Sequence, residues 1–161
     1  MTIFERLRTE WLKADTVVNG GADPRAIAAF ESKHRVTLPL EFKNYLLTVN
    51  GMAEGATDED LVSFLSLDAI DRELTDSQPP AAFRDVMFAE YLVYSHVYVL
   101  RIAASCEQSP VLAADGEHQR LVSDSFMEFI EAYLANRKTV VHCWAKARPD
   151  GADMADRPQS R

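Results

Sequence analysis

Residues 27–51 read IAAFESKHRVTLPLEFKNYLLTVNG, and this segment decides the fold. Apolar side chains recur at helical spacing on both sides of Leu38-Pro39, which predicts two short amphipathic helices joined by a tight connection. Pro39 restricts Leu38 to an extended backbone and suits the first position of the second helix. That helix should end at Asn50-Gly51, because glycine readily adopts the left-handed conformation that follows a last helical turn.

The flanking sequence predicts a sheet between helices. Thr2 and Glu5 have the spacing of a capping box before a first helix, and Ser125 and Glu128 repeat that spacing before a last helix. Four segments between them have the composition of strands or of a hairpin: residues 61–67, 86–94, 96–103 and 110–121. The last of these is predicted to be a hairpin that turns at Asp115-Gly116. The predicted fold is therefore α+β, with N-terminal helices, a central, mainly antiparallel sheet and a C-terminal helix packed on that sheet.

This order of elements resembles the SUKH superfamily in its SMI/KNR-type branch. The motif of that branch is a glutamate-bearing helix, a Leu-Pro step, an aromatic-rich helix and an Asn-Gly end. Five residues match it, and the resemblance implies structural roles for them: Glu31, Leu38, Pro39, Asn50 and Gly51. The resemblance spans residues 1–136 and implies a single SUKH-like domain there. Arg35 stands where the family usually has glycine, so we expect either a left-handed arginine or a different helix cap.

Charge is distributed unevenly along the chain. Residues 1–136 carry eleven Lys and Arg against twenty-two Asp and Glu, whereas residues 137–161 carry six against three. The second range is a basic C-terminal tail, which we expect to be partly disordered because its last residues lack large apolar side chains. The acidic domain should repel nucleic acid and attract a basic protein at long range, so we expect a protein partner and no nucleic acid.

Two features bear on the cellular compartment. The sequence has no run of about 18 apolar residues and no charged-then-apolar leader, so we expect neither a membrane span nor membrane binding. The two cysteines, Cys106 and Cys143, form no disulfide framework, as is usual in a reducing environment. The sequence thus predicts a cytoplasmic protein and leaves its oligomeric state open.

Catalytic and metal-binding patterns are weak. His142 and Cys143 are adjacent, a spacing that suits neither a zinc knuckle nor a helical histidine pair. Ser95 and Ser105 lie in no strand-turn-helix elbow of the kind that exposes a nucleophile. We therefore predict no catalysis, no metal and no cofactor.

Three polar residues lie in or next to apolar segments of the sequence. His34 lies on the apolar face of its helix and is expected to be partly buried and bonded to the backbone. His96 follows Ser95 and is expected in an exposed turn. Arg101 lies inside an apolar strand and needs a partner, for which Glu90 is a candidate. Alternatively, His96, Arg101 and nearby tyrosines converge on a polar ligand.

The sharpest functional candidate is the acidic segment that follows Asn50-Gly51. Between Glu54 and Asp76 eight acidic residues face a single base, Arg72. Within this segment the run from Glu54 to Asp60 is either a solvated, mobile loop or a docking surface for a basic protein. The candidate partner-binding residues are four of these acids and two tyrosines that the strands could present at an interface: Glu54, Asp58, Glu59, Asp60, Tyr91 and Tyr94.

The resemblance implies a binding protein without catalysis. Many bacterial members of the superfamily are immunity proteins that neutralise a cognate toxin, often a nuclease, and others are adaptors or regulators. The charge of the domain agrees with the first role, because a nuclease presents a basic surface to its substrate. Two alternatives stay open at this point: a regulatory or adaptor protein, and a small-molecule sensor with a pocket between sheet and helices.

Overall fold

The computed structural model of the protein describes residues 1–74, 82–103 and 108–142. The helices in these ranges are α1 Ile3–Lys13, α2 Pro24–His34, α3 Leu40–Val49, α4 Leu67–Glu73, α5 Phe126–Ala135 and α6 Arg137–Val141. The strands are β1 Val62–Phe64, β2 Phe83–Tyr91, β3 His96–Ala103, β4 Val111–Ala114 and β5 Gln119–Ser123. None of these helices is long and apolar enough to span a membrane.

The strands form one antiparallel sheet whose spatial order follows the chain, from β1 at one edge to β5 at the other. Antiparallel neighbours need only short connections, which agrees with the closely spaced strands of the sequence. The β4–β5 hairpin turns at Asp115-Gly116 as predicted, with a φ of 97° at Gly116. The side chain of Asp115 accepts a hydrogen bond from the His118 N–H at 2.9 Å and stabilises this turn.

Aromatic side chains fill the space between the sheet and the helices. The ring of Phe88 in β2 lies 5.2 Å from both Phe126 and Phe129 of α5, and Phe42 of α3 lies 4.9 Å from Phe126. All four rings are fully buried and meet edge to face, a geometry that adds about 0.5–1.5 kcal/mol per pair beyond area burial. The C-terminal helix therefore packs on the sheet, and the α+β prediction is confirmed.

The helix ends follow the local sequence with one difference. The capping box of α1 forms as predicted. At α5, the Ser125 hydroxyl accepts from the Glu128 N–H at 3.2 Å. The Glu128 carboxylate, however, accepts from the backbone N–H of Asp124 instead of that of Ser125. Arg35 ends α2 with a φ of 51°, so of the two expected alternatives the arginine adopts the left-handed conformation.

Helix α4 was not expected from the sequence. Residues 61–67 were predicted as a strand followed by a polar connection, whereas β1 ends at Phe64 and α4 begins at Leu67. Ser66 caps this helix by accepting from the Ala69 N–H at 3.2 Å. Only Leu67 and Ile70 are buried in its seven residues, which is too few to show a helical period.

The end of the described chain is helical. Helix α6 follows α5 directly and buries Val140 and Val141. The domain boundary at residue 136 and the disorder of the tail stay predictions, since residues 143–161 lie outside the described part. The same holds for Cys106, Ser105 and Cys143.

Candidate functional site

The Leu-Pro step is held by the glutamate of the preceding helix. Glu31 accepts a hydrogen bond from the Leu38 N–H at 2.8 Å and pairs with Lys43 of α3 at 3.2 Å. Leu38 is buried, and Pro39 precedes the helix with a φ of −56°. The helix begins at Leu40, one residue later than predicted. The carboxylate thus fixes the turn between α2 and α3.

The Asn-Gly end of α3 connects three parts of the chain. The Asn50 side-chain oxygen accepts from the Leu67 N–H at 2.8 Å. The backbone carbonyl of Asn50 accepts from the Asn19 side-chain amide at 3.1 Å. Gly51 has a φ of +71°, and a Cβ there would lie 2.4 Å from the Leu65 carbonyl oxygen. Only glycine fits this position, and the pair sets where the acidic segment starts.

Asp58 differs from the expectation that it faces a partner. It is only 4% exposed, and its side chain accepts from the N–H groups of Asp60 and Val62, both at 2.9 Å. The Tyr133 hydroxyl donates to its second oxygen and accepts from the Trp11 indole N–H at 2.9 Å. Burial and the neighbouring carboxylate raise the pKa of Tyr133. Asp58 therefore organises the loop from inside and does not lie on the surface.

Glu54, Glu59 and Asp60 do reach the surface, Asp60 partly. Glu54 lies 3.5 Å from Arg72 of α4, and Glu59 lies 3.9 Å from Arg137 of α6. Exposed ion pairs at such distances contribute at most about 1 kcal/mol. Both glutamates thus remain available to a partner.

The acidic segment meets the β2–β3 turn. The Leu92 N–H donates to the Leu61 carbonyl at 3.0 Å. Tyr94 donates its hydroxyl to Glu73 of α4 at 3.3 Å, and its N–H donates to the Glu90 carboxylate at 3.1 Å. Partial burial, followed by the charges of Glu73 and Glu90, raises the pKa of Tyr94. We use the name acidic face for the surface acids of residues 54–60 together with the groups that bond at Tyr94, and its members are Glu54, Glu59, Asp60, Glu73, Glu90 and Tyr94.

Tyr91 and His96 lie away from this surface. Tyr91 is half-buried, and its ring packs 4.9 Å from that of His96. His96 was expected in an exposed turn, but it begins β3, is buried and has its Nε2 atom 2.9 Å from the Tyr98 hydroxyl. Burial lowers the pKa of His96. The turn occupies residues 92–95 instead, because β2 ends at Tyr91 and not at Tyr94.

The side chains considered for a ligand pocket do not converge. His96 and Arg101 are an odd number of residues apart on β3, so they face opposite sides of the sheet. Arg101 makes two 2.7 Å bonds to Asp85, not to Glu90, and one of 2.6 Å to Gln119. The side of the sheet that faces the helices, opposite to Arg101, is packed with aromatic rings. The structure therefore gives the pocket hypothesis no site built from these residues.

His34, which was expected to bond to the backbone, pairs with a carboxylate. Its Nε2 atom lies 2.5 Å from Asp71 Oδ1, and Lys33 lies 2.7 Å from the other oxygen. The bonds from Lys33 and then His34 hold the pKa of Asp71 below its ordinary value. At 1% exposure the imidazole cannot reach a substrate in solution. Within the described ranges no three His, Cys, Asp or Glu side chains group as metal ligands.

Sequence reasoning missed three residues beside the acidic face. Leu61, Leu92 and Val93 expose large apolar side chains where the acidic segment meets the β2–β3 turn. The turn sequence LVYS lacks Gly, Asn, Asp and Pro, so its composition predicts the end of a strand. No local signal distinguishes it from a strand.

Comparison with known proteins identifies a family. The model of the SMI1 / KNR4 family (SUKH-1) matches residues 21–132. This range contains all five motif residues and the whole acidic face. No curated protein matches the chain.

Proposed function

The chain belongs to the SMI1 / KNR4 family (SUKH-1), and from this premise we propose that it is an immunity protein that binds and neutralises a cognate bacterial toxin. The family is known for immunity-type domains, which are generally not catalytic. The observation that supports binding through a particular surface is that carboxylates of two separate elements, Glu73 of α4 and Glu90 of β2, both bond to Tyr94. The turn that carries Tyr94 is also hydrogen-bonded to the acidic segment at Leu61. In this proposal the protein neutralises the toxin by binding to it and catalyses no reaction.

The acidic face suits a basic partner for a physical reason. Carboxylates on one surface add their fields, and at physiological salt that field extends about 8 Å before it is screened. A toxin that cleaves nucleic acid carries Lys and Arg where its substrate binds, so the two surfaces attract each other before contact. Coverage of that surface would exclude the substrate. A nuclease toxin is therefore the partner class that we propose, in the cytoplasm where its substrate is found.

The first experiment takes, from the proteins encoded by genes next to that of this chain, one that proves toxic when it is expressed alone. It is expressed in a bacterial host with and without the chain, and growth is measured. We expect growth to recover when the chain is present. Toxicity that persists at equal expression of the chain would refute the immunity role.

The second experiment measures association of the two purified proteins at low and moderate salt. The charge reversals Glu54→Lys and Glu59→Lys together should lower the association rate constant at least about tenfold at low salt, because steering depends on net charge at the surface. Glu131→Lys, on the exposed side of α5, changes a charge outside the acidic face and serves as the control. Equal rates for both variants would refute steering by this face.

A further inference from the structure

Four exposed side chains lie on two hydrogen-bonded loops beside the acids of the acidic face. Leu61 and Leu92 are each 47% exposed, Val93 is 87% exposed and Tyr94 is 53% exposed. The Leu92–Leu61 backbone bond joins the two loops that carry them. We call these four residues the apolar tip. Exposed apolar residues that occur singly need no explanation, but a contiguous group on a protein surface marks an interaction site.

The backbone of the apolar tip is strained. Its four residues have φ values of 65°, 47°, 50° and 63°, in the left-handed region that L-residues rarely adopt. For a β-branched residue such as Val93 this conformation is an outlier, and Gly or Asn would relieve it. Strained backbone of this kind concentrates at functional sites, where the surrounding structure maintains it. The fold thus keeps these residues in an unfavourable backbone conformation at a position where their side chains are exposed.

Charges around the apolar tip restrict what can cover it. Glu73 and Glu90 both bond to Tyr94, and Asp60 precedes Leu61. A second copy of the chain placed on this tip would bring like carboxylates together, and an anionic membrane would be repelled. Basic groups beside an apolar pocket would satisfy both the carboxylates and the apolar side chains. The surroundings therefore favour a basic protein over the other occupants.

We propose that the apolar tip is the anchor of the interface: it inserts Leu92, Val93 and Tyr94 into an apolar pocket, rimmed by Lys and Arg, on a protein partner. The inference deepens the proposed function and rests on it for the biological identity of that partner. Anchors that lose contact with water carry most of the binding energy of an interface, and the surrounding charges mainly set the rate and orientation of approach.

The test uses a phage-displayed random peptide library selected on the intact protein. We expect the enriched peptides to combine aromatic or aliphatic residues with flanking Lys or Arg. Val93→Asn should weaken their binding at least about tenfold and yet raise the melting temperature, because asparagine tolerates the left-handed conformation. Leu92→Ser should weaken binding in the same way. Leu40→Ser, which alters an exposed leucine on α3, is the matched control and should leave binding unchanged.

Several outcomes would overturn the inference. These are a selection without enrichment, enriched peptides without basic residues, and peptides that bind Val93→Asn as well as the original protein. Self-association of the original protein that Val93→Asn abolishes would show that the tip contacts a second copy instead. Peptide binding at the tip without protection against the neighbouring toxin would retain the inference and refute the proposed function, so the two failures are distinguishable.

Discussion

Replacement of Asp58 by alanine tests whether this acid is structural. The substitution removes the acceptor of three hydrogen bonds, from the N–H groups of Asp60 and Val62 and from the Tyr133 hydroxyl. A bond to a charged acceptor contributes about 1.5–3 kcal/mol, because the buried donor otherwise loses its partner. Three bonds at the low end of that range, with the half-buried Asp60 amide turning partly to water, give a loss of about 4 kcal/mol.

The conservative variant Asp58→Asn should have an intermediate effect. Its amide oxygen can keep the two backbone bonds, whereas its NH2 group faces the Tyr133 hydroxyl, which already accepts from Trp11. One hydroxyl proton is then left without an acceptor, at a cost of about 1–3 kcal/mol. The expected order of stability is therefore aspartate, asparagine, alanine.

Urea denaturation followed by circular dichroism measures these free energies of unfolding. The control is Glu59→Ala, which removes the same charge from the neighbouring surface and should cost less than about 1 kcal/mol. A loss of about 4 kcal/mol is a large part of the roughly 5–15 kcal/mol that stabilises a typical domain, so it is easily resolved. If Asp58→Ala and Glu59→Ala have the same stability, the assignment of Asp58 to the interior is wrong.

Three further substitutions test other contacts by equilibrium unfolding. Arg35→Gly should stabilise the protein by about 1 kcal/mol, because glycine adopts the left-handed conformation at α2's end without a steric penalty. Glu31→Ala should destabilise it by about 2 kcal/mol, because the Leu38 N–H loses a charged acceptor. His96→Gln should remove a pH dependence: burial lowers the pKa of the folded imidazole, so the unfolded state binds more protons and stability should fall as pH drops below about 6.5.

Each of these results has a contrary outcome. Arg35→Gly with lower stability would mean that the arginine side chain makes a contact worth more than the backbone strain. Glu31→Ala would contradict the reasoning if it cost no more than Lys43→Ala, which removes only the partly exposed ion pair. For His96, equal pH profiles of the original protein and the glutamine variant between pH values of about 5 and 7 would contradict the assigned burial effect.

Local sequence signals predicted the frame of the fold because they act over a few residues. The capping box of α1 and the turn at Gly116 depend on the conformational preferences of the residues that occupy them. Helix α4 escaped prediction because two buried residues in one short helix create no period.

The candidate site was predictable only in outline. The acidic segment was evident from composition, since eight acids with one base are unusual in any arrangement. Composition does not distinguish Glu59, which is exposed, from Asp58, which accepts three bonds in the interior. Likewise, an apolar run has the composition of a strand along its whole length. Only its pairing with the opposite strand decides where the strand ends, and for β2 and β3 the last pair is Tyr91 and His96.

By itself, the sequence determined helices α1, α2, α3 and α5, the hairpin, the antiparallel sheet and the acidic character of the domain, because their signals lie in short stretches of the chain. Tertiary structure alone decided which acids face solvent, where Arg101 finds its partner, and that Leu61 lies beside Leu92. These residues are far apart in sequence, and only the pairing of β1 with β2 brings the two loops together. A surface made from separate segments exists only once the chain has folded.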